Sequence, residues 1–96
     1  AEGTELGRLG KLLAAQGRIG EAREALRRGE ALLREVGDQL GLAILLCESG
    51  CTELAVNDLD AARTALAAAE TVARAMGLGS QSEAGRAIAA LRATLD

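Results

Sequence analysis

The sequence predicts an all-α fold of stacked antiparallel helical hairpins, five helices in about two and a half repeats, on three observations. The 96 residues lack Pro, Phe, Trp, Tyr and His and are rich in Ala, Leu, Glu and Arg, which are strong helix formers. Turn residues at Gly17, Gly37, Asn57 and Gly77 divide the chain into helix-length pieces. Finally, Gly17 to Asp38 and Asn57 to Leu78 align at an offset of 40 residues, with 7 of 22 positions identical. The identities are Ala22/Ala62, Arg23/Arg63, Ala25/Ala65, Leu26/Leu66, Glu30/Glu70, Arg34/Arg74 and Gly37/Gly77. They fall on helical spacing, as expected of units that bury their apolar faces by stacking on neighbours.

The first helix is expected from about Thr4 to Gln16, with Leu6, Leu9, Leu12 and Leu13 on its apolar stripe. Gly17 to Gly20 break it. The second, about Glu21 to Val36, presents Ala22, Ala25, Leu26, Gly29, Leu32, Leu33 and Val36 inward. Gly37 stops it, and Asp38 is a fitting N-cap for a third helix over about Gln39 to Val56. After an Asn57-Asp58 turn, with Asp58 or Asp60 as cap, the fourth helix runs from about Asp60 to Met76. It turns Leu59, Ala62, Leu66, Ala69, Val72, Ala73 and Met76 inward. Ser80 to Glu83 read as a capping box, with Ser80 as cap, and open a fifth helix to about Leu95. Ala84, Ala87, Ile88, Leu91 and Leu95 face inward there. Residues 1–96 thus form a single domain: one repeat over 4–37, a second over 38–77, and a half-repeat or capping helix over 80–95. Thr4 to Arg8 echo Ser82 to Arg86 at an offset of 78, so the first, third and fifth helices are read as equivalent.

Small residues stand where paired helices cross: Gly10 and Gly50 in the first helix of each unit, Ala22/Ala62 and Gly29/Ala69 in the second. This order resembles the tetratricopeptide repeat, an α-solenoid of stacked hairpins. Leu9-Gly10 matches its Leu-Gly pair, Gly17 its turn glycine, and Ala22, Leu26 and Gly29 its Ala, aromatic and Ala positions. Leu replaces the usual aromatics, Glu53 takes an aromatic position, and the repeat is 40 rather than 34 residues. The longer form is similar to repeats appended to bacterial signalling kinases, cyclases and ATP-dependent regulators, and to those of kinesin light chains. The chain opens at Ala1 rather than Met, which points to a piece of a larger regulatory protein.

Composition narrows the function. A net charge of −3 argues against nucleic-acid binding, which draws on surplus positive charge. The longest apolar run, Leu42 to Cys47, is far short of a membrane span. Without His there is no base to activate Ser or Cys. Gly10-Lys11 lacks the remainder of a phosphate loop, Gly77-Leu78-Gly79 that of a dinucleotide fingerprint. No enzyme activity, metal or cofactor is expected. Cys47 and Cys51, four apart on a helix, fit a disulfide poorly and read as small packing residues suited to a reducing cytoplasm.

The resemblance implies a concave groove, lined by the first helix of each repeat, that holds a protein or peptide partner. Carried over by position, its candidate residues are Arg8 and Lys11, then Cys47, Glu48 and Cys51, then Arg86 and Arg92. Four cations around one acid suggest a partner segment of apolar and acidic character. The alternatives are homo-oligomerisation through exposed ends of the stack, at Leu6, Leu9 and Leu12 or at Ile88, Leu91 and Leu95, and a less favoured RNA-binding module.

Overall fold

A computed structural model describes residues 2–96, and its helices are α1 (Glu2–Ala15), α2 (Ile19–Val36), α3 (Gln39–Ala55), α4 (Leu59–Met76) and α5 (Glu83–Leu95). No strand occurs among the described residues. The helices α1 to α4 all end the same way. The amide of the residue after each turn residue donates to a carbonyl five back: Arg18 to Leu13, Asp38 to Leu33, Asp58 to Glu53 and Leu78 to Ala73, all at 2.9–3.0 Å. This closure needs a left-handed residue at the turn. Gly17, Gly37 and Gly77 supply it at φ 80°, 74° and 69°, and Asn57 at φ 62°. The helix starts are less uniform. Asp38 accepts from the Gly41 amide at 2.8 Å and Asp58 from the Ala61 amide at 3.1 Å, whereas Arg18 ahead of α2 provides no side-chain cap.

The cap of α5 corrects the sequence expectation. Ser82 rather than Ser80 accepts from a helix amide, that of Gly85 at 2.9 Å, while its hydroxyl donates to the Gly79 carbonyl at 2.8 Å. The 79–82 turn folds directly over Gly85, whose missing side chain leaves room for the Gly79 carbonyl. Glu83 is therefore the first helical residue and not the far half of a capping box.

Helices α1 and α2 form one hairpin, α3 and α4 a second, and no helix touches another more than two places away along the chain. The 40-residue echo marks the crossings. Ala22 and Ala62 are both 0% exposed. A Cβ built on Gly10 would meet the Ala22 carbonyl at 3.2 Å, and one on Gly50 the Ala62 carbonyl at 3.5 Å. Burial in α2 (Ala22, Leu26, Gly29, Leu33) recurs forty residues later in α4 (Ala62, Leu66, Ala69, Ala73). The main core gathers Leu26, Leu33, Leu42, Leu45, Leu46, Leu66, Ile88 and Leu91 between the hairpins and α5. A smaller cluster of Leu13, Ala22 and Ala25 lies within the first hairpin.

Several residues expected inside are outside. Leu9 is 44% and Leu12 56% exposed, and the buried face of α1 is instead Gly3, Gly7, Gly10 and Leu13. Glycine lets the α2 backbone come close at Gly3 and Gly10 and α3 side chains at Gly7, so the contact face of α1 is mostly its small one, and Leu9 and Leu12 are left to solvent. Val36 (70%), Leu59 and Met76 sit at helix ends beyond the crossing and are exposed as well.

The ion pairs also differ from spacing alone. On i, i+4 spacing Glu24, Glu30 and Glu70 would pair with Arg28, Arg34 and Arg74; Glu30 does pair with Arg34, but Glu24 pairs with Arg27 and Glu70 with Arg92 of α5. Glu53 of α3 receives a two-pronged hydrogen bond from Arg23, Nε to Oε2 at 3.0 Å and Nη2 to Oε1 at 2.7 Å. It ties α3 to α2 much as Arg92 ties α5 to α4.

Candidate binding groove

The odd-numbered helices present matching sets of residues to one side of the molecule. Thr4, Arg8 and Lys11 of α1 have the spacing i, i+4, i+7, and so do Ile44, Glu48 and Cys51 of α3 and Glu83, Ala87 and Ala90 of α5. That spacing keeps each set on one stripe of its helix. Together they line two adjoining hollows of about 240 and 330 Å³ that share Ile44, Glu48 and Glu83. The first lies between Arg8 and Leu40; the second runs from Lys11 over Cys47 and Cys51 to Leu91 and Thr94.

Five of the seven residues expected in the groove are there: Arg8, Lys11, Cys47, Glu48 and Cys51. Arg86 and Arg92 are not. Arg92 bonds Glu70 and lines the crevice between α4 and α5, together with Gly85 and Ala89. Arg86 is exposed on the side of α5 opposite its buried row of Ala84, Ile88 and Leu91. The reason is register. The groove stripes of α3 and α5 are 39 residues apart, so α1 and α5 correspond at 79, not at the 78 suggested by the Thr4–Arg8 echo. One residue rotates a helix by about 100°, which swings the assigned face out of the groove. Glu53 and Arg92, also 39 apart, confirm the register by bonding the preceding helix in the same way. The residues missed on α5 were Glu83, Ala90 and Thr94, with Ala87 assigned to the core; the spacing of Ala84, Ile88, Leu91 and Leu95 is the signal that places them beside it.

Glu48 is the central charge. Gly7 makes room for it, since a Cβ there would collide with its Oε1. Burial raises its carboxyl above the ordinary range; Lys11 and Arg8 pull it down and Glu83 pushes it up. Neither Arg8 nor Lys11 has an acidic partner within 4.0 Å, in contrast to the five arginines paired elsewhere among the described residues. Below them, burial pushes the Cys47 thiol up to about 12, helped by Cys51 and Glu48. Cys51, the exposed one of the two, is raised too, by partial desolvation first, with Lys11 opposing and Glu48 adding. Both thiols stay protonated near neutral pH and are weak nucleophiles and metal ligands in that state.

No family model, curated protein or solved structure gives a significant match to this chain. No helix of the described residues is long and apolar enough to cross a membrane.

Proposed function

We propose that the chain is a tetratricopeptide-like interaction module, working without chemistry of its own, whose groove across α1, α3 and α5 binds a segment of a partner protein. The observation that carries this reading is the shared stripe: three helices turn equivalent positions toward one concavity, and neither Arg8 nor Lys11 is in a salt bridge among the described residues. The repeated Gly10–Ala22 and Gly50–Ala62 crossings and the left-handed turns at Gly17 and Asn57 support the family resemblance. Between repeats the packing positions match and the groove positions differ, Arg8 against Glu48 and Lys11 against Cys51, as befits a common scaffold with a particular ligand. The test is random-peptide display on the wild-type chain and on Ala87→Arg, whose side chain would fill the groove from its α5 wall. Clones that bind the wild type and are lost on a folded Ala87→Arg are expected. Equal binding to both proteins would sink the reading.

A second reading, self-association, is favoured by the exposure of Leu9 and Leu12 side by side on α1. It predicts a dimer by light scattering that Leu12→Glu dissociates, and a monomer at high concentration would exclude it.

A further inference from the structure

We propose that the groove selects a segment with an acidic side chain over the α1 wall and a bulky apolar side chain seated between α3 and α5. This rests on the groove being a binding site and adds which chemistry belongs where. Across the groove the walls are unlike. On the α1 side Arg8 and Lys11 lie one turn apart, i and i+3, close enough to serve one carboxylate or two. They are the only two cations lining the hollows among the described residues, whereas the three acids there, Asp38, Glu48 and Glu83, come from α5 and from α3 and its cap, so within the groove an anion finds positive partners on this wall alone. The α5 side has no cation in the groove. Past Glu83 it is built from Ala87, Ala90, Leu91 and Thr94, and with Cys47 and Cys51 these line the hollow of about 330 Å³.

Small side chains on both walls leave that space open, and an apolar anchor seated there is sheltered from water while its neighbour reaches Lys11. Central buried anchors flanked by charge are the usual carriers of binding energy in such contacts. Glu83, at the start of α5, sets the sense. It borders both hollows at the Thr4 and Ile44 end and disfavours an acid there. The acid is therefore confined to the α1 wall.

The deciding experiment selects random displayed peptides on two proteins, the wild type and the double variant Arg8→Glu/Lys11→Glu, keeping only clones that Ala87→Arg abolishes. Wild type should return an Asp or Glu within a few residues of Leu, Ile, Met or Phe. The double variant should return Lys or Arg in place of the acid with the apolar anchor retained. In a synthetic wild-type peptide, Glu→Lys at the acid should weaken binding about tenfold or more, and high salt should weaken the parent peptide. Groove-dependent clones without acids, or the same sequences from both proteins, would overturn the proposal while leaving the groove as a binding site. An absence of groove-dependent clones would overturn both.

Discussion

Replacing glycine by alanine at three helical positions should give three different outcomes. In an open helix the change gains up to about 1 kcal/mol in propensity. At Gly20 nothing lies within 4 Å of the new Cβ, so a gain of about 0.5 kcal/mol is expected in this first turn of α2. At Gly50 the Cβ would lie 2.6 Å from Leu91 Cδ2, with the Ala62 carbonyl and Ala65 Cβ at an ordinary 3.5 Å. The obstacle is a terminal methyl that can rotate, and its small repacking cost roughly cancels the propensity gain. At Gly10 the Cβ would lie 2.6 Å from Leu26 Cγ, 3.0 Å from its Cδ2 and 3.2 Å from the Ala22 carbonyl. A branch carbon and a backbone oxygen cannot step aside without opening the α1–α2 crossing. Overpacking of about 1–3 kcal/mol then exceeds the gain, leaving a net loss of about 1 kcal/mol. Urea unfolding followed by circular dichroism should order the variants Gly20→Ala, Gly50→Ala, Gly10→Ala, the extremes about 1 M apart in midpoint. Gly10→Ala as stable as Gly20→Ala would refute the close crossing.

Leu33→Ala removes a side chain only 1% exposed in the main core and should cost about 3 kcal/mol in the same assay, whereas Val36→Ala should change stability by less than about 0.5 kcal/mol. Ser82→Ala should cost about 1 kcal/mol through loss of the α5 cap, and Ser80→Ala almost nothing; the reverse would restore the capping box expected from the sequence. Glu48→Gln should raise the melting temperature at neutral pH. Because burial holds the Glu48 carboxyl above its ordinary 4.5, the folded chain binds more protons than the unfolded one between 4.5 and the folded value. Its contribution to stability therefore falls as pH rises through that window. The advantage of Glu48→Gln should be largest above the window and vanish below 4.5, as melting curves across pH will show; an advantage that grew on acidification would contradict the burial of this acid.

Most of the architecture was legible because the features that set it are local. Turn residues, caps at Asp38 and Asp58, and apolar spacing in α2 and α4 act within a few residues. The errors arose where a distant partner decides. Leu9 and Leu12 look like a core stripe until α2 and α3 choose the glycine face of α1. Glu70 has Arg74 at ideal spacing, yet Arg92 arrives from α5. Within the groove, the α1 and α3 stripes followed from the 40-residue offset. The α5 stripe did not, because the 79–82 turn shifts the repeat by one residue and the motif-like match at 78 follows residue identity rather than the packed face.

The groove is tested most directly by titrating a display-selected peptide into isotopically labelled protein and following each backbone amide by NMR. A ligand held across α1, α3 and α5 should shift Arg8, Lys11, Glu48, Cys51, Ala87 and Ala90 most, and leave Arg27, Arg28 and Arg63 on the second helices unmoved. Shifts centred instead on those arginines, or on Leu9 and Leu12, would contradict the assignment of this face as the binding site.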